Sequence, residues 1–172
     1  MSLSSREAPR TRRAAAREGV IVFTVCNYTF AIAASAVQEV RSADSLAGSA
    51  IELTNSGLAK VQHFVEHYHR TYFVVNAAAH FGLARTRPTI ILILRDSPVA
   101  LLADRIENMT DISGVLPLPR AFAGDERQWY RGLAYVLKRI VPVVNPAGFL
   151  TVDELQRLDT AVREVSMLAG AL

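Results

Sequence analysis

What most limits the folding of this chain is the recurrence of apolar runs of strand length, each cut short by turn-forming residues. Val20–Cys26, Tyr28–Ile32, Thr71–Val75, Thr89–Leu94, Leu133–Leu137 and Ile140–Val144 are rich in β-branched, leucine and aromatic residues. Asn27, Asp96-Ser97-Pro98 and Lys138-Arg139 interrupt or flank them. Strands want residues that pack on a pleated surface, and turns want residues that tolerate special backbone angles. Many short strands at this spacing predict a mainly β chain, built as a barrel or sandwich rather than a parallel sheet. With 172 residues, one compact domain or two small ones fit, and a hydrophobic share of 51% supplies a sizeable core. No apolar run approaches the roughly 18 to 20 residues that a membrane-spanning helix needs.

Read along the chain, Val20–Cys26 and Tyr28–Ile32 form a strand pair around Asn27. Ser35–Val40 is a short transition, and Arg41–Gly57, dominated by Ser, Asp, Asn and Gly, reads as loop. Leu58–His69 reads as a helix or a loop. Thr89–Leu94 and Val99–Ile106 pair around Asp96-Ser97-Pro98, and Pro117 and Pro119 punctuate the next loop. A final hairpin joins Leu133–Leu137 to Ile140–Val144. The period then changes: Leu155, Leu158, Val162, Val165 and Ala169 make a helical stripe over 152–169. Thr151, three residues ahead of Glu154, predicts a capping box at its start. The helix folds back onto the body; a coiled-coil seam to another chain would have only about two heptads to work with.

Charge and chemistry narrow the function. The excess is in residues 1–18, where Arg6, Arg10, Arg12, Arg13 and Arg17 face only Glu7 and Glu18. That segment carries the whole net charge of +3, and the rest balances. It reads as a disordered basic tail, with a nucleic-acid tether as the alternative. The single cysteine, Cys26, forms no internal disulfide and reads as an inert thiol. His63-Phe64-Val65-Glu66-His67 spells H-x-x-E-H. On a helix its two histidines share a face and could hold zinc, with Glu66 as base. In a small β-rich chain it reads instead as a polar connecting segment. Phosphate loops, nucleophile elbows and C-x-x-C pairs are missing from the sequence. Trp129 and Tyr130 either pack a loop onto a barrel end or anchor a partner.

Several segments, in order, resemble the CheW-like family. Val20–Val40 is similar to its opening strand pair and V-x-E-V stretch, matched by Phe23, Val25, Phe30, Ala31, Ile32, Val37, Glu39 and Val40. Phe81-Gly82-Leu83 matches a common F-G-L. Val99–Met109 resembles the G-L-x-V-D-x-V segment, with Asp104 at the aspartate. Pro117 and Pro119 fall at the P-x-P loop, and Gly132–Asp159 resembles the closing hairpin and terminal helix. One stretch departs from the pattern. Where the family carries N-L-R-G, this chain reads Glu66-His67-Tyr68-His69, and Phe73–Ala78 lacks the family's later aspartate.

The resemblance implies two interleaved, five-stranded SH3-like β-barrel subdomains over 19–172, with the terminal helix against them. It implies a non-enzymatic cytoplasmic adaptor, without cofactor, that couples a chemoreceptor cytoplasmic tip to a CheA-type histidine kinase. The candidate partner-binding residues are Val37 as apolar anchor, Glu39 as charged rim and Asp104. In the family the missing arginine lies in the partner-contacting region, and Tyr68 cannot supply its planar charged fork. His69 stands where glycine would permit an unusual backbone angle.

Overall fold

The computed structural model describes residues 16–84 and 87–171. The first strand pair forms as the sequence predicts: β1, Glu18–Val25, runs antiparallel to β2, Tyr28–Ala33, with Val20 opposite Ala33. Cys26 and Asn27 alone make the turn, both with positive φ. A single 3-10 turn, Ala34–Ala36, leads into β3, Val37–Ser42. The segment read as loop is more ordered than its composition suggests. Another 3-10 turn, Ala43–Leu46, and the two-residue β4, Ile51–Glu52, lie within it, and Leu46 and Leu53 are buried.

Leu58–His69 is neither helix nor loop over most of its length. Val61–His67 is β5, paired with β6, Arg70–Asn76. The spacing of Val61, Phe64 and Val65 imitates one helical turn. A β-bulge between Val61 and His63 creates that spacing: the extra residue lets Val61 and Phe64 face one side although three positions separate them. A short helix, α1, Ala77–His80, follows, with the Asn76 side chain accepting the Ala79 N–H. Next come β7, Ile90–Leu94, and β8, Val99–Ala103. The strand expected over Val99–Ile106 breaks at Asp104, and β9, Arg105–Ile112, belongs to a different sheet. The closing hairpin is β10, Tyr130–Val136, with β11, Arg139–Val144. The expected terminal helix is α2, Val152–Gly170.

Two sheets result. One is ordered β10-β11-β2-β1-β9, so the first two and the last three strands build it. The other is ordered β3-β7-β8-β6-β5-β4, five strands extended by the two-residue β4. The barrels are therefore interleaved in sequence, as the resemblance implied. Each has its own core: Val22, Ala31, Val136 and Val143 in the first, Val65, Tyr72, Ile91 and Ile93 in the second. The largest cluster lies between them and includes Phe23, Phe30, Phe73, Leu94, Phe149 and Leu158.

Helix α2 closes that seam. Thr151 Oγ1 accepts the Glu154 N–H at 3.2 Å, and Glu154 accepts the Thr151 N–H at 2.8 Å, so the capping box forms. Lys60 clamps the same carboxylate at 2.8 Å and donates to the Phe149 carbonyl. Leu158 and Ala161 are buried within the seam, so the helix folds onto its own chain. No described helix is long and apolar enough to cross a membrane. The expected tail falls, up to residue 15, outside the described residues.

Candidate partner-binding surface

One end of the second barrel gathers an unusual set of polar and aromatic side chains. Strand β3 brings Glu39 and Arg41 to it, two residues apart and so on one face. The β5–β6 hairpin brings His67, Tyr68 and Arg70. Glu39 Oε2 lies 2.9 Å from His67 Nε2, and Glu39 Oε1 lies 3.6 Å from Arg41 Nε. The His67 ring contacts Tyr68 with centroids 4.1 Å apart, and Tyr72 at 6.4 Å. Arg70 places its guanidinium 5.7 Å above the Tyr72 ring and donates to the Arg95 carbonyl. Tyr72 in turn donates to Gln38 at 3.4 Å. These contacts form one continuous chain across the barrel mouth.

The hairpin tip has a strained backbone. Tyr68 and His69 both have positive φ, 49° and 59°. A two-residue hairpin needs this of both central residues, because only the mirror-image turn matches the twist of the strands. The turn geometry is thus kept without the family's glycine. Tyr68 is 66% exposed, with the His67 ring as its aromatic neighbour.

The other expected residues lie elsewhere or have another setting. Val37 is at the start of β3 but is buried in the seam cluster, so it fixes the strand rather than projecting from it. Val40 on the same strand is 40% exposed. Asp104 sits at the β8–β9 junction, where the chain passes from one sheet to the other. Its carboxylate accepts the Cys26 N–H at 2.7 Å, its own N–H donates to the Thr24 carbonyl, and Thr89 donates to its carbonyl. These bonds tie the first hairpin, and among the described residues none goes to Val37 or Glu39. Cys26 is half-buried in that turn and donates its thiol to the Ala84 carbonyl.

The H-x-x-E-H motif lies on a strand. His63 and His67 are therefore about 13 Å apart along extended chain, too far to share a metal ion. His63 instead lines a groove of about 540 Å³ with Lys60, Asn76, Leu83 and Leu102, while His67 bonds Glu39. Trp129 packs inward, its ring 4.7 Å from that of His80 and 6.1 Å from that of Phe81. His80 is buried among these rings and Phe149, and neither ring nitrogen meets a hydrogen-bond partner among the described residues. Burial, reinforced by the nearby Lys60 charge, pushes its pKa down to about 3. Sequence reasoning noticed His67 and Tyr68 but not their juxtaposition with Glu39, which depends on a contact between distant strands. It passed over Arg41 and Arg70, because a surface arginine carries no pattern of its own.

Two small interleaved barrels on a shared seam, with polar and aromatic side chains gathered at one end of the second, define the architectural class. The family model for the CheW-like domain matches residues 19–154, and the chain belongs to the CheW-like family. A comparison with curated proteins gives no match. Among solved structures, the chain is similar to the scaffolding protein TtCheW from Thermoanaerobacter tengcongensis. The TM-score is 0.68 at 14% identity, covering 81% of this chain and 96% of that one. Family and fold together indicate a chemotaxis scaffold or coupling protein, of a kind that is non-enzymatic.

Proposed function

We propose that this protein is a cytoplasmic adaptor that couples a chemoreceptor tip to a CheA-type histidine kinase through protein contacts, using the mouth of the second barrel. The observation that carries the proposal is the Glu39–His67 contact, which locks a family-motif residue on β3 to the hairpin where the family places its partner-contacting arginine. Glu39 organises the surface by holding His67 and Arg41 together. Val40 supplies exposed apolar area, and Val37 anchors the strand that carries both. Asp104 acts from behind, by fixing the crossover that joins the two barrels.

An interface draws its energy from a few well-placed side chains and its specificity from charge arrangement. Glu39→Arg sets a cation against His67 and Arg41 and should splay the mouth. Binding to the regulatory domain of a cognate CheA-type kinase, or to a receptor tip, should weaken by about tenfold, measured by calorimetry. Wild-type protein that binds neither would sink the proposal.

A further inference from the structure

We propose that the barrel mouth selects an acidic partner segment through Arg70 and Arg95, with Tyr68 as the apolar platform beside them. The inference rests on reading this mouth as the partner-binding surface, and it names the chemistry of what binds there.

The argument starts from which charges at the mouth are already satisfied. Glu39 accepts from His67 at 2.9 Å and has Arg41 at 3.6 Å, so its carboxylate is balanced within the protein. Arg70 and Arg95 are both exposed, and neither makes an ion pair among the described residues. Their recorded hydrogen bonds go to carbonyls: Arg70 Nη1 to Arg95 at 3.4 Å, and Arg95 Nε to Ser35 at 3.2 Å. A guanidinium offers five N–H donors, so each keeps most of its fork for a carboxylate. The Tyr72 ring and the Arg95 backbone carbonyl hold the Arg70 guanidinium at the turn that carries Arg95.

Other carboxylates nearby do not cancel this charge. Glu66 pairs in register with Thr71 and so points to the opposite face of the hairpin from His67 and Arg70. Asp96 follows Arg95 but lines the groove it shares with Pro98, Leu150 and Leu155. Two residues before Arg70, at the tip of the same hairpin, stands Tyr68, two-thirds exposed. A rigid aromatic beside unpaired arginines is the make-up of an interaction hot spot. The aromatic favours a polypeptide carrying aliphatic groups next to its carboxylates over a purely anionic chain.

The test uses the full chain with two probes, the regulatory domain of a cognate CheA-type kinase and a receptor-tip fragment. Raising salt from about 0.05 to 0.5 M should weaken wild-type binding to at least one probe by about tenfold. Arg70→Glu with Arg95→Glu should cost a similar factor at low salt, and Arg70→Lys with Arg95→Lys should recover most of it. Arg163→Glu, an exposed charge reversal on α2, should change binding less than about threefold. Salt-independent binding, or an equal loss with Arg163→Glu and with the Arg70 and Arg95 reversals, overturns the inference and leaves the adaptor reading standing. Binding to neither probe removes both. An arginine-dependent gel shift of a single-stranded oligonucleotide, without binding to either probe, would assign the mouth to nucleic acid instead.

Discussion

Two hairpins in this protein have the same backbone and different surroundings. Cys26-Asn27 joins β1 to β2, and Tyr68-His69 joins β5 to β6; all four residues have positive φ and none is glycine. The first turn is tied on every side. Asp104 accepts its N–H, the Cys26 thiol reaches Ala84, and Phe81 stacks on Phe30 beside it at 4.4 Å. The second is exposed, and its conformation costs about 1 to 2 kcal/mol per residue. The difference separates a turn that is tied into the fold from one that is held with few contacts.

Acid gives the largest expected effect, and it should act on the tied side. The first turn leans on the segment from Ala77 to Ala84, which carries the buried His80. With a folded pKa of about 3 against an ordinary 6.5, the unfolded chain binds more protons between those values. Stability from this group is therefore complete above about pH 6.5 and falls as pH drops toward 3, by on the order of 4 kcal/mol. His80→Leu should remove that part of the pH dependence in urea denaturation. Parallel curves for variant and wild type would break the assignment.

A smaller effect is expected from the tie itself. Asp104→Ala leaves the Cys26 N–H without its charged acceptor and should cost about 2 kcal/mol, read as a lower urea midpoint at unchanged slope. An unchanged midpoint would show that the first turn needs no tie. The smallest effect separates the two turns most directly. His69→Gly should stabilise the protein by about 1 kcal/mol, because glycine adopts positive φ without strain. Asn27→Gly should shift it by only a few tenths, since asparagine already tolerates this region. Equal gains at both positions would erase the distinction.

The sequence by itself determined the class of the molecule. Short β-branched runs, the Lys138-Arg139 hairpin and the Thr151–Glu154 cap depend on neighbours a few residues away, where periodicity and turn chemistry act. The order of the CheW-like segments was legible for the same reason, because each is a local pattern. Only the tertiary structure decided the rest. It turned 61–67 into a strand, since a bulge can copy helical spacing and pairing with β6 settles the matter. It broke the strand at Asp104, because the residue that leaves one sheet for the other is chosen by packing across the seam. It also brought Glu39 to His67 and Arg70 to Arg95, contacts made across 28 and 25 positions of chain. Charge and aromatic residues on a surface have no period, so only the closing of the barrel reveals which of them stand together.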